Sequence, residues 1–385
     1  MNKLFKLTLL ISTLFMNYSC QLLNDNYEIK TQIRGIWHRP FSCDYDETNL
    51  EGIDNLLKDI SNTGFNLIYV EMMIDGYTLY ESSNFDTYYK VVDSYYDENY
   101  KNDYLNAFID TAHKYNIEVY AWQSIFYVGS HNYLSSSINE EWLIKDLNGD
   151  NKVYNDYGYS YVLDPSNPEV INFLLNEYEP LLKKYDFQGF QLDYIRYTEN
   201  DYYNEIIEDY GFTDYSINDF NKKYKLNFNP QKDIYNEDIR NKWHEYKTNN
   251  ITNAVEKISN YVKLINHNMK ISACTYMSSY DAKNVYCQDV NEWIKNKYID
   301  LLCPMIYTLD NNYFLECIND YKKICKNRYL LSIGIAPLYL GSSLEENNNQ
   351  IKNGNKLSNG ISYFASHNIF KNNKEEKMAS IKEYL

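Results

Sequence analysis

Short apolar runs alternate with amphipathic stretches along residues 31–370, the rhythm of strand–helix units wrapped around a parallel sheet. Eight runs stand out: Ile33 to Trp37, Leu67 to Glu71, Val119 to Trp122, Gly189 to Asp193, Lys270 to Cys274, Leu301 to Tyr307, Leu330 to Ile335 and Gly360 to Ala365. Between them lie helical patterns such as Leu50 to Ile60, with Ile53, Leu56, Leu57 and Ile60 on one face, and Tyr104 to Tyr115. A further helix is predicted after Asn167, which can cap it, with Pro168 in its first position. Eight strands with eight crossovers favour a closed (β/α)8 TIM barrel, an α/β fold, as a single domain over 31–370, with 371–385 as a C-terminal helix or tail. No Gly-rich phosphate loop follows a strand, which sets aside a doubly wound nucleotide-binding sheet.

Two connections, 123–165 after strand three and 197–238 after strand four, far exceed the usual ~2–6 residues. Both leave the C-terminal ends of strands, where barrel enzymes build their sites, and are expected to form cleft walls. Within the first, Asp146-Leu147-Asn148-Gly149-Asp150 opens with calcium-loop spacing, but its Gly comes too early and the closing Glu is missing, so a turn is expected.

The N-terminus reads as an address. Lys3 and Lys6 precede the apolar stretch Leu7 to Met16, and Ser19 precedes Cys20, the pattern of a signal peptide over 1–19 with lipid attachment at Cys20 and a polar tether over 20–30. The expectation is an exported protein held in the bacterial cell envelope through that anchor alone, since no later stretch approaches 18 apolar residues. A formal charge of −16 argues against nucleic acid as a partner, because phosphate backbones call for clustered Lys and Arg. The 44% hydrophobic content supplies a sizeable core, and a monomer is expected. Coding bias accounts for most of the 43 tyrosines, although amphipathic rings also suit sugar stacking. Of the six cysteines after Cys20, none forms a C-x-x-C pair, and Cys274 and Cys303 fall inside predicted strands as small hydrophobes; their pairing stays open.

Strand parity then selects the residues that can reach a substrate. On strand four, Phe190 and Leu192 belong to the helix layer, so Gly189, Gln191 and Asp193 face inward, with Asp193 at the C-terminal end. On strand two, Leu67, Tyr69 and Glu71 face inward, with Glu71 at the top. Two inward carboxyl groups at strand ends are what sugar hydrolysis needs, one to protonate the leaving oxygen and one to attack or to activate water. Aromatic groups stand at similar heights: Trp37 or His38, Trp122 and Tyr307. The alternatives are structural: a salt bridge from Asp193 to Arg196, and rings that merely cap the core. No HExxH helix, His-x-His pair, Asp-rich cluster or G-x-S-x-G elbow appears, so no metal or cofactor is expected and serine catalysis is disfavoured.

These residues sit in segments that, taken in order, resemble the glycosyl hydrolase-like 10 family of exported bacterial barrel proteins, some of them lipoproteins acting on cell-wall glycan strands. The segments are Arg34-Gly35-Ile36-Trp37-His38-Arg39-Pro40, Val70-Glu71 with Gly76-Tyr77-Thr78-Leu79-Tyr80, and Glu118-Val119-Tyr120-Ala121-Trp122 with Phe126-Tyr127-Val128-Gly129. They continue with Leu163-Asp164-Pro165-Ser166-Asn167-Pro168-Glu169-Val170, Gly189-Phe190-Gln191-Leu192-Asp193-Tyr194-Ile195-Arg196-Tyr197, Gln288-Asp289 and Pro304-Met305-Ile306-Tyr307-Thr308. The resemblance implies a (β/α)8 barrel, a carbohydrate substrate and a cleft centred on Asp193. Thr198 stands where a Pro is usual in the family, and Ser124 where many relatives carry an acid, which shifts weight to Glu71.

The expected activity is hydrolysis of O-glycosidic bonds in a bacterial polysaccharide, with peptidoglycan glycan strands foremost. Asp193 is expected as nucleophile or base and Glu71 as proton donor; Arg196 and Gln191 as holding the acid or a sugar hydroxyl; Trp122, His38, Tyr307 and Tyr194 as lining the subsites. The alternative is a surface carbohydrate-binding lipoprotein that kept the cleft and lost catalysis, which Ser124 and the tyrosine-rich loops motivate.

Overall fold

A computed structural model describes residues 32–155, 158–200, 208–326 and 329–385. The signal peptide, Cys20 and the tether predicted above lie outside the described residues. Eight parallel strands form the sheet: β1 (Ile33–His38), β2 (Leu67–Glu71), β3 (Glu118–Ser124), β4 (Gly189–Asp193), β5 (Lys270–Thr275), β6 (Leu301–Pro304), β7 (Leu330–Leu331 and Ile333–Ile335) and β8 (Gly360–Tyr363). Neighbours pair in chain order and β8 returns to β1, with Ile33 opposite Gly360. Only glycine fits at that seam: Gly360 has φ +140°, and a Cβ there would lie 1.9 Å from the Ile33 carbonyl oxygen.

β7, predicted as one run, is split. Leu330–Leu331 pairs with β6 and Ile333–Ile335 with β8. Ser332 donates to the Leu302 carbonyl at 2.9 Å, but the next ladder donor on β6 would be the N–H of Pro304, which proline lacks. The ring closes past the gap, where Ile306 N–H bonds the Gly334 carbonyl at 2.9 Å.

The strand residues expected to face outward, among them Ile68, Val70, Phe190 and Leu192, join the large core under the helices, while Ile33, Trp37, Leu67, Tyr69, Tyr120, Trp122, Cys274, Leu301 and Cys303 fill the barrel. The main helices are α1 (Leu50–Thr63), α2 (Tyr104–Lys114), α3 (Pro168–Lys184), α4 (Glu237–Ile265), α5 (Val290–Lys295), α6 (Asn311–Cys325), α7 (Leu344–Leu357) and α8 (Lys374–Lys382). α3 starts as predicted: the Asn167 side chain accepts from Glu169 N–H at 2.9 Å and Pro168 opens the helix. The C-terminal segment is the eighth helix of the layer, with Ile381 buried and contacts to α1 and α7. Among the described residues no helix is long and apolar enough to cross a membrane, and the six cysteines carry free thiols.

The long connections rise from the strand tops. The first carries a three-stranded antiparallel sheet, Tyr127–Ser130, Gly158–Val162 and Val153–Asn155, with Gly158–Val162 in the middle. Its Asp146 caps a tight turn, accepting from the N–H groups of Asn148 and Asp150 at 2.8 Å each. The second carries the helix Asp214–Tyr224, whose Phe220 packs with Phe212, Phe228, Trp243 and Tyr246 in a cluster of its own. Buried Asp164 ties the two together, accepting from Ser166 N–H at 2.9 Å and from the Thr213 hydroxyl at 2.5 Å.

Candidate active site

The barrel interior is a stack of rings and small polar groups. Trp37 lies against Tyr69 with ring centroids 5.2 Å apart, and Tyr69 meets Tyr120 edge-on at 5.6 Å. Gln191 is sealed in this layer. Expected to hold the acid or a sugar hydroxyl, it is fully buried one step beneath the top of β4, and its Oε1 accepts from Trp37 Nε1 at 2.7 Å. Its Nε2 is buried with no hydrogen-bond partner among the described residues.

Asp193 ends β4 two residues higher, with 5% of its surface exposed. Its Oδ2 accepts from Trp122 Nε1 at 2.8 Å, its Oδ1 from Tyr194 N–H at 2.8 Å, and the Cys274 thiol on β5 lies near enough to help favour the carboxylate. Tyr194 turns sharply to make this possible, with φ +48°, a left-handed conformation that non-glycine residues adopt rarely. Burial pushes the Asp193 carboxyl up from the usual range, and the donors and the Arg196 charge pull against that rise. Arg196 extends over the rings of Tyr194 and Tyr286, 5.1 and 4.6 Å from their centroids.

Glu71 ends β2 in different company. Its side chain keeps 17% exposure, yet Oε2 is buried and has no hydrogen-bond partner among the described residues. Arg39 Nε stands 3.6 Å from that oxygen, and the same guanidinium reaches Asp75 at 3.2 Å. Burial raises the Glu71 carboxyl to about 7; Arg39 opposes the rise, while Asp75 and Asp193 add to it. β3 stands between the two strands, with Trp122 in register with Glu71 and Ser124 with Asp193, so both carboxyl groups end their strands at the same mouth of the barrel, as strand parity predicts.

Aromatic walls surround them. Tyr127 packs on Tyr194 at 4.3 Å, Tyr307 on Phe364 at 5.5 Å, and Tyr77 stacks on Tyr133 at 4.0 Å beside the β2 end. Tyr307 is close enough to Asp193 to feel its charge, and burial pushes its phenol well above the ordinary range. Trp122 faces the site, and its indole N–H serves Asp193.

His38 does not line the cleft. It points outward from β1, stacks on Phe108 of α2 at 5.4 Å, and bonds Ser366 Oγ at 2.8 Å and Glu47 Oε2 at 2.9 Å. The reason is parity: Ile33, Gly35, Trp37 and Arg39 point inward, so His38 must point out. Burial works against its charge, but Glu47 overrides that and raises it to about 10. The same parity count would have found Arg39, which sequence reasoning missed. Cys274 was legible as an inward residue but was read as packing; Tyr127, Tyr286 and Asp75 sit in loops where no periodicity points to them.

The sequence profile of the family described as Glycosyl hydrolase-like 10 matches residues 32–350. No curated protein matches the chain. Among solved structures, the glycoside hydrolase domain of PgaB (BpsB) from Bordetella bronchiseptica superposes with a TM-score of 0.66 at 12% identity, covering 91% of this chain and 98% of that one. The catalytic domain of beta-amylase from Paenibacillus polymyxa gives 0.61 at 12% identity, covering 91% and 97%. A beta-galactosidase from Bacillus circulans gives 0.58 at 10% identity, covering 93% and 56%. These likenesses establish the TIM-barrel fold.

Proposed function

This chain belongs to the glycosyl hydrolase-like 10 family, and we propose that it hydrolyses O-glycosidic bonds of a bacterial polysaccharide, peptidoglycan glycan strands foremost, from an exported, lipid-anchored position set by Cys20. One observation carries the catalytic part: of two buried carboxyl groups at one barrel mouth, one is hydrogen-bonded on both oxygens and the other has a buried oxygen with no partner among the described residues. Glu71, with an unsatisfied buried oxygen and a proton affinity near neutrality, suits the donor that protonates the leaving oxygen. Asp193, fixed by donors on both oxygens, suits the nucleophile or base on the other face of the bond. Trp122 and Tyr194 orient Asp193, and Tyr127, Tyr194, Tyr307 and Tyr77 offer ring faces to pyranose units.

The test is incubation of the soluble 21–385 chain with purified wall glycans and a polysaccharide panel, with products read by mass spectrometry. Asp193→Asn should lower turnover by about 10⁴-fold while folding and glycan binding persist. Unchanged turnover removes Asp193 from the mechanism. Ser124, paired in register with Asp193, favours a second reading, a glycan-binding protein without turnover. It predicts saturable binding with no new reducing ends from the wild-type chain.

A further inference from the structure

Arg39 occupies a built position. It follows His38, which is clamped by Ser366 and Glu47, and precedes Pro40; its carbonyl accepts from Ser42 Oγ at 2.5 Å. The backbone is therefore pinned on both sides, and strand parity aims the side chain inward at Glu71. Across from it Asp75 sits at the tip of the small hairpin Met73–Ile74 and Tyr77–Thr78, in the left-handed region with φ +53°. The guanidinium lies between the two acids, 3.2 Å from Asp75 and 3.6 Å from Glu71 Oε2. That sharing leaves Glu71 Oε2 without a hydrogen bond.

We infer that Arg39 and Asp75 are an opposed pair of positioning residues for Glu71, the first favouring its ionised carboxylate and the second its protonated acid. The inference rests on the reading of Glu71 as donor and goes beyond it by naming what keeps that donor loaded near neutrality. Asp75 acts twice in one direction: its own charge repels a Glu71 anion, and its hold on Arg39 keeps the cation from closing fully on Glu71. The other charged or titratable groups facing Glu71 are Asp193 and Tyr194 on the β4 side and His38 behind β1. The charge on His38 is matched by Glu47, so it contributes little. Both Arg39 and Asp75 are substantially exposed, at 41% and 54% of their side chains, so replacing either leaves the core intact.

The experiment follows the Glu71 carboxyl directly, by ¹³C NMR titration of protein labelled at glutamate side-chain carboxyls, with Glu71→Gln identifying the resonance. It runs beside pH profiles of kcat/KM. Arg39→Gln should move the Glu71 midpoint up by about 1 pH unit, Asp75→Asn should move it down, and Arg39→Lys should stay near the wild type. A merely structural role would move neither midpoint. Shifts in the same direction, or none, overturn the inference. If Glu71→Gln removes turnover while the midpoints of the other variants stay fixed, only the tuning pair is lost. If the midpoints shift oppositely while Glu71→Gln turns over like the wild type, the pair stands and the donor reading falls.

Discussion

The ends of β2 and β4 present the same chemical group on the same architecture, bury it in both places, and differ in the hydrogen bonds they offer it. At the end of β4 the carboxylate takes an indole N–H on one oxygen and a backbone N–H on the other, with a thiol close by. At the end of β2 one oxygen is buried and unbonded, and the nearest cation is shared with a second acid. Hydrogen bonds to an anion stabilise it, whereas burial without them stabilises the neutral acid. Strand position makes two acids available; their neighbours make them unequal, and unequal acids can divide donor and base roles.

The comparison breaks most readily at Glu71. A donor must be protonated, so kcat/KM should decline as pH rises through about 7. Glu71→Gln should cost about 10²–10⁴-fold in kcat and remove that alkaline limb from whatever activity is left. Steady-state profiles from pH 5 to 9 decide it, and a limb that persists unchanged assigns it to another group.

The next effect tests that His38 lies outside this comparison. His38→Leu strands the buried Glu47 carboxylate and should destabilise the fold by about 3–5 kcal/mol in urea titrations, while molecules still folded keep their turnover. The sign of the pH dependence follows from a folded-state value raised to about 10 above an ordinary 6.5. The stabilisation is complete below about 6.5 and is lost as pH rises through about 10, so the gap between wild type and variant should narrow over that interval. A gap that widens with pH would mean the imidazole is neutral in the fold.

Trp122→Phe removes the strongest side-chain donor to Asp193 without emptying the space. A hydrogen bond to a charged group contributes about 1.5–3 kcal/mol, so activity should fall by roughly 10–100-fold. The acidic limb, which reports Asp193, should move to higher pH because a group that held the anion is gone. An acidic limb that stays in place would detach it from Asp193.

How much of this was legible in the chain depends on whether the deciding contact is local. β2 and β4 run over Leu67–Glu71 and Gly189–Asp193, the limits that apolar alternation predicts, because each strand's own residues record both of its faces. The split of β7 was hidden because its cause, Pro304, lies on the neighbouring strand. Parity carried Glu71 and Asp193 to the mouth, but at β1 the choice between Trp37 and His38 stayed open, although counting through Gly35 would have sent Trp37 and Arg39 inward together. The antiparallel sheet inside 123–165 and the Arg39–Asp75 contact join segments with no shared periodicity, and only the folded chain brings them into view.

The smallest effect is the sharpest probe of the β4 end, because two substitutions at one position should act in opposite senses. The Cys274 thiol is buried on β5 close to Asp193, but S–H is a weak donor. Cys274→Ala deletes it and should raise the acidic limb by a fraction of a pH unit, at a cost to activity of less than about 1 kcal/mol. Cys274→Ser puts a stronger O–H donor in nearly the same volume, which favours the carboxylate and should lower the limb. Steric disturbance would push both variants the same way, so only opposed displacements identify hydrogen bonding to Asp193 as the quantity that separates β4 from β2. Parallel displacements would instead leave burial and the indole to account for the difference.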